Sequence, residues 1–258
     1  MKKIIAVTLL IGVVFAGAFL AMNKNKTEKI AEKVEIIESG FSSDKNGDFS
    51  YAVVFRNNSD QLIRRAYFEA EAYDENGEKM DMPDDCIYLL TTNVGPGETS
   101  SCDMMVKDGK MFGDSEPAKP IKGVPADVAF KYSSLTEFKE ASSEGAKLRI
   151  VDYELLEENF DRNEISFRVR IANDGNEDFE YDFHNGETNN YLACHVVYKD
   201  KDGNVIGGTS IAGFHMDPWR EDYVVIKAGE EMDLRFQGLG CWPSESQDLY
   251  LETGEEGN

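Results

Sequence analysis

Two stretches of about 100 residues each present the same order of strand-like runs and turn signals. In the first, Asn57-Asn58-Ser59 leads to Tyr73-Asp74-Glu75-Asn76-Gly77 and then to Gly95-Pro96-Gly97-Glu98. In the second, Asn173-Asp174-Gly175 leads to Tyr198-Lys199-Asp200-Lys201-Asp202-Gly203 and then to Ala228-Gly229-Glu230. A period of about one domain implies duplication of a whole fold, because solenoid repeats are only about 20–50 residues long. Asn57 to Gly77 spans 20 residues and Asn173 to Gly203 spans 30, so the second copy gains a segment around Tyr181 to Tyr191. Aligned on these runs, Asp74 faces Lys199, one residue is added before Gly203, and Pro96 becomes Ala228.

Within each copy the apolar period is two. Ile165, Phe167, Val169 and Ile171 share one face of a run while Ser166, Arg168 and Arg170 share the other, the pattern of a strand with one buried side. Phe49, Tyr51, Val53 and Phe55 alternate likewise, with Ser50 and Ala52 opposite. Leu192, Cys194, Val196 and Tyr198 form a third such set, which turns Cys194 inward and His195 outward. Asn46-Gly47, Asn76-Gly77 and Asp202-Gly203 tolerate the positive φ of tight hairpins. Many short strands without helical periodicity predict an all-β chain of two sandwiches, each with about seven strands. The domains are expected at 33–132 and 147–253, with a polar stalk at 23–32, a linker at 133–146 and a tail at 254–258.

The N-terminus sets the expected address. Lys2-Lys3 precede an uncharged apolar run from Ile4 to Met22, the layout of an export signal, so 1–22 is read as a signal peptide or a membrane anchor. Ala16-Gly17-Ala18 offers a small-x-small cleavage pattern, yet the run continues apolar to Met22, long enough to span a bilayer. Both outcomes stay open, and both place the remainder outside the cytoplasm. The chain is acidic, with 27 Lys and Arg against 49 Asp and Glu, and the four basic residues before position 27 stand without an acid. Such a field disfavours nucleic acid and anionic lipid surfaces, which are bound through clustered cations. The membrane is therefore expected only through the N-terminal segment. Four cysteines allow three pairings. Two independent domains in an oxidising compartment favour Cys86–Cys102 and Cys194–Cys241.

Val54-Phe55-Arg56-Asn57-Asn58-Ser59, Tyr73-Asp74-Glu75-Asn76-Gly77 and Gly95-Pro96-Gly97-Glu98 together resemble the small immunoglobulin-like domains of bacterial surface proteins, including the FxLYD group. The resemblance implies two tandem immunoglobulin-like β-sandwich domains and a non-enzymatic extracellular module, with no shared catalytic residues to carry over.

Candidate chemistry is sparse. Asp44 to Asp48, Asp74 to Glu78 and Asp200 to Asn204 are acidic turns, but none has the ligand spacing of a calcium loop. His184, His195 and His215 all fall in the second copy, at spacings that match no ligand pair, so neither a metal nor another cofactor is expected. No Gly-x-Ser-x-Gly elbow, His-Glu-x-x-His or phosphate loop is present. The candidate contact surface lies in the second copy, where Phe214, His215, Trp219 and Arg220 occupy one loop, with Trp242 and Tyr191 elsewhere. Aromatic residues with arginine are what protein interfaces favour. The expected partner is an envelope or extracellular protein. The alternative is a carbohydrate-binding module that stacks sugars on Trp219, Trp242 and Tyr191, and Trp219 and Trp242 also suit a core or a disulfide cover.

Overall fold

The alternating runs form antiparallel strands throughout. The computed structural model describes residues 26–44, 47–82, 88–107, 110–111, 123–142, 145–182, 190–211, 214–215 and 223–255. In chain order the first half holds β1 (Val34–Ser43), β2 (Phe49–Asn57), β3 (Gln61–Tyr73), β4 (Tyr88–Val94), β5 (Thr99–Lys107), β6 (Lys110–Met111), β7 (Asp127–Tyr132) and β8 (Glu137–Glu140). The second half holds β9 (Leu148–Asn159), β10 (Glu164–Asn173), β11 (Phe179–Asp182), β12 (Asn190–Lys199), β13 (Val205–Ile211), β14 (Phe214–His215), β15 (Tyr223–Ile226), β16 (Glu231–Leu239) and β17 (Ser246–Glu255).

The two halves of the chain have similar sheet orders. One sheet of the first half runs β1-β2-β5-β6, and its counterpart in the second runs β9-β10-β16-β14. Facing these, β4-β3-β7 corresponds to β11-β15 together with β13-β12-β17, because the ten-residue insertion splits the equivalent of β3 into β11 and β12. The match extends to an irregularity: Ile37 in β1 and Val151 in β9 are both skipped in the register with the next strand.

Each copy has its own apolar core. In the first, Phe55 and Phe68 meet with ring centroids 4.9 Å apart among Tyr51, Val53, Ile63 and Leu89. The second gathers Ile165, Phe167, Val169, Leu192, Val196, Leu234 and Phe236. A buried asparagine pins the same corner of both. Asn57 Nδ2 donates to the Gln61 and Val94 carbonyls at 2.7 and 2.9 Å, and Asn173 Nδ2 donates to those of Glu177 and Ile226 at 2.8 and 2.9 Å. Their Oδ1 atoms accept from Ser59 N and Gly175 N, both at 3.0 Å. Gly97 and Gly229, at φ 78° and 77°, donate to the Asn57 and Asn173 carbonyls, both at 2.8 Å. Either asparagine changed to alanine strands one buried carbonyl, of Val94 or Ile226, and frees a part-buried one, of Gln61 or Glu177. Each substitution should cost about 1–3 kcal/mol by urea unfolding, and similarly in both copies.

Three details differ from the sequence reading. Asp74 corresponds to Asp200, not Lys199, with no added residue. Asp74 Oδ1 accepts from Asn76 N and Glu78 N at 2.8 and 2.9 Å, and Asp200 Oδ1 accepts from Asp202 N and Asn204 N at 2.9 Å each. Gly77 and Gly203 close the two turns onto the Asp74 and Asp200 carbonyls. These carboxylates are occupied as turn anchors, and backbone N–H donors, from Glu78 for Asp74, hold the Asp74 acid below its ordinary pKa. Next, residues 137–140, expected in the linker, form β8 on the edge of β3. Last, part of the stalk packs on the first copy: from the short helix of residues 26–31, Ile30 is buried in the first core.

Among the described residues no helix is long and apolar enough to cross a membrane. The apolar run Ile4 to Met22 lies outside them.

Candidate functional site

The outer face of β2 departs from the half-buried pattern expected of it. Ser50, Ala52 and Val54 are buried as fully as the core-facing residues between them. They are covered by the second copy. Ala52 and Val54 pack with Val197, Val205 and Tyr250, so the sheet of β1, β2 and β5 stacks on the sheet of β13, β12 and β17. Small residues let the backbones approach. Ser50 Oγ accepts from Gly208 N at 2.8 Å and donates to its carbonyl at 2.9 Å, and Ser42 Oγ donates to the Ile206 carbonyl at 2.5 Å. A Cβ on Gly40 would overlap the Val205 carbonyl, and one on Gly208 would press on Asp103 and Ala52.

His195 lies at the centre of this interface. The strand period turns it away from the core that holds Cys194, and on that outer face it is 3% exposed. Nδ1 pairs with the Asp103 carboxylate on β5, and Nε2 lies 3.1 Å from Glu252 Oε2 on β17. Glu252 in turn accepts from the Thr92 hydroxyl at 3.1 Å, and Thr92 and Asn93 both donate to the Thr253 carbonyl. Burial alone would lower the imidazole pKa, but Asp103 and Glu252 outweigh it and raise it from 6.5 to about 10. The ring is therefore a cation at neutral pH, clamped by one carboxylate from each copy. At the rim, Lys199 Nζ bridges Glu38 at 3.0 Å and Asp248 at 2.9 Å.

The expected site residues fall as follows. Trp242, expected on a contact surface, is 6% exposed in the second core, and its Nε1 donates to Ser42 Oγ of the first copy at 2.8 Å. It belongs to the junction, because the segment after β16 turns back over the hairpin between β9 and β10. Phe214 and His215 pair with Phe236 and Arg235 as β14, and Tyr191 pairs with Gly254 on β12. The side chains of those three, and all of Trp219, Arg220, His184 and Cys86, lie outside the described residues.

Cys102, Cys194 and Cys241 are buried and in no disulfide, so the expected Cys194–Cys241 bridge is absent, and Cys86, the expected partner of Cys102, lies outside the described residues. The strand geometry explains it. Cys241 lies at the Tyr198 end of β12, where the Tyr198 hydroxyl donates to the Gly240 carbonyl at 2.5 Å. Cys194 is four residues along the same strand, about 13 Å at about 3.3 Å per residue, whereas a disulfide holds its Cα atoms within about 7 Å. Burial pushes the Cys194 thiol well above its ordinary pKa, which makes it inert. Alkylation after denaturation without reductant should label Cys194 and Cys241, and reductant should leave the melting temperature unchanged.

No sequence motif signalled the Asp103–His195–Glu252 cluster, since its members lie 92 and 57 residues apart. A local signal was present in β2, where Ser50, Ala52 and Val54 put no charge on the outer face while Arg168 and Arg170 occupy the equivalent places in β10. The outer face of β9, β10 and β16 carries the pairs Arg168–Glu154 and Arg170–Asp233, with Arg235 beside Glu157, in place of serine, glycine and alanine. The docking requires glycine. Gly40→Ala should part the two sheets at Ser42, which a red shift of Trp242 emission would report; an unshifted spectrum would contradict the packing.

Chemically the cluster is an ion-pair lock. Both ring nitrogens face carboxylates, so neither is open to a substrate, and among the described residues no three His, Cys, Asp or Glu side chains are placed to hold one metal ion. No protein-family model and no curated protein matches the chain. Among solved structures, a point mutant of Bacillus subtilis oxalate decarboxylase aligns over 87% of this chain and 77% of its own at 11% identity, with a TM-score of 0.15, a likeness too slight to carry any argument about fold or activity.

Proposed function

We propose that the chain is a non-enzymatic binding protein that works outside the cytoplasm, tethered or exported through its N-terminal apolar segment, with two immunoglobulin-like units joined as one rigid presenting body. The observation that carries this reading is the use made of the buried charged cluster. His195, Asp103 and Glu252 are sealed from solvent and spent on one another, so their role is to hold the copies together. Rigid joining favours recognition, because a pre-ordered surface loses less entropy on binding. The Lys2-Lys3 and Ile4 to Met22 layout supports the address. The acidic exterior supports a protein partner with basic character over nucleic acid.

The contact surface on this reading is the loop that carries Phe214, Trp219 and Arg220. The test is capture of solubilised envelope protein and, separately, wall polysaccharide on immobilised residues 27–258. The expected result is a retained protein that is lost when Phe214 and Trp219 are changed to alanine. Retention of polysaccharide alone, or a protein retained equally by the variant, would overturn the reading.

A further inference from the structure

The edge of the second copy carries a surface that its counterpart in the first copy lacks. β9 ends its sheet: it pairs with β10 on one side, and among the described residues no strand pairs with the other. It is twelve residues long, and Val151, Leu155 and Leu156 on it, with Phe160 in the turn beyond, are all exposed large apolar side chains. Ser39 and Phe41 of β1 stand where Tyr153 and Leu155 stand in β9, opposite Val53 and Tyr51 and opposite Val169 and Phe167 respectively. β1 is also covered by β13 of the other copy, whereas β9, apart from β10, meets only β17 of its own copy, at Tyr153 and Glu158, and receives no cover from the first copy among the described residues.

An open strand edge is normally blunted by charged side chains, above all lysine, by proline or by bulges; β9 has no lysine or proline, and only its acids and two register breaks serve that purpose. Its two register breaks, at Val151 and Leu156, leave Asp152-Tyr153-Glu154-Leu155 as a regular segment between them. Tyr153 is fixed there by its ring against Phe167 and by its hydroxyl, which donates to the Gln247 carbonyl at 2.9 Å.

Charge selects the occupant. β9 carries Asp152, Glu154, Glu157 and Glu158 against the single cation Arg149, which is held by Asp174. Arg168 and Arg235 of the neighbouring strands meet Glu154 and Glu157, which leaves Asp152 and Glu158 as the acids of β9 outside any salt bridge among the described residues. A second copy of this chain placed edge to edge would set acid against acid. We propose that the β9 edge takes up, by strand addition, an extended segment of a partner protein in which lysine or arginine alternates with apolar residues. Backbone hydrogen bonds to the free edge supply affinity, the apolar side chains cover Leu155 and Val151, and the cations meet Asp152 and Glu158. This proposal rests on the binding-protein reading but uses a different surface from the Phe214 and Trp219 loop.

The test uses the full chain and a synthetic peptide of about eight residues alternating lysine and valine, with a glutamate and valine peptide as control. Titration should show saturable binding of the basic peptide alone, with slowed amide exchange between Asp152 and Leu155. The V151K and L155K double variant, which places the blunting cations on the edge, should bind about tenfold more weakly or worse while melting like the parent. If that variant misfolds, Asp152→Asn serves instead, and should lower both affinity and its salt dependence. Equal binding of the acidic peptide, protection elsewhere, no binding, or dimerisation through β9 without peptide would each overturn the proposal. Changing Phe214 and Trp219 to alanine should leave peptide binding untouched, so failure of the loop assignment and failure of this one can be told apart.

Discussion

Replacing His195 with alanine should destabilise the folded chain by about 3–5 kcal/mol in equilibrium denaturation, because it leaves the Asp103 and Glu252 carboxylates buried without their cation. The cost arises from removing one partner, not from a large net worth of the cluster. Taking H195L, D103L and E252L together should therefore recover most of the loss, since apolar side chains of similar volume need no desolvated charge. Thr92 keeps an acceptor in the Thr253 carbonyl when Glu252 is replaced, so the triple variant leaves no new orphan there. The pH dependence has a definite sign. The folded imidazole pKa, about 10, lies above its ordinary 6.5, so the stabilisation linked to that proton is fully present below about pH 6.5 and is lost as pH rises through about 10. The gap in stability between the parent and His195→Ala should narrow across that window. A constant gap, or one that widens toward alkaline pH, would contradict the assignment.

Trp242→Ala should be comparably damaging, at about 3–5 kcal/mol, since it removes a large buried side chain from the second core. The variant also acts across the junction. Trp242 Nε1 donates to Ser42 Oγ, which itself donates to the Ile206 carbonyl, so the indole props the hydroxyl that ties β1 to β13. Trp242→Phe keeps most of the packing and loses only the donor, and should cost about 1 kcal/mol. Unfolding followed by circular dichroism would separate the two variants. Equal losses for phenylalanine and alanine would mean that the hydrogen bond, and not the packing, dominates.

The parts legible in the sequence were those written in local periodicity. Alternation in Phe49 to Phe55 and in Ile165 to Ile171 located β2 and β10, and the Asp-x-x-Gly turns located the hairpins, because both signals act within a few residues. The inward Cys194 and outward His195 followed from the same period of two. What His195 faces could not follow, because Asp103 and Glu252 reach it only after two sheets have stacked. The disulfide expectation failed for a related reason. Sharing a domain brought Cys194 and Cys241 into one core, but position along β12 keeps them apart. The insertion near Tyr181 to Tyr191 was read correctly as extra length, yet its consequence, the split of one strand into β11 and β12, depends on pairing with β15 and β17.

The most direct measurement is the protonation state of His195 in the intact chain, followed by imidazole nitrogen chemical shifts across pH. A lock between the two copies requires a cationic ring at pH 8 that gives up its proton only near pH 10. A ring that is neutral at pH 8 and titrates near 6.5 would mean that Asp103 and Glu252 do not clamp it, and that the two copies are not joined through this cluster.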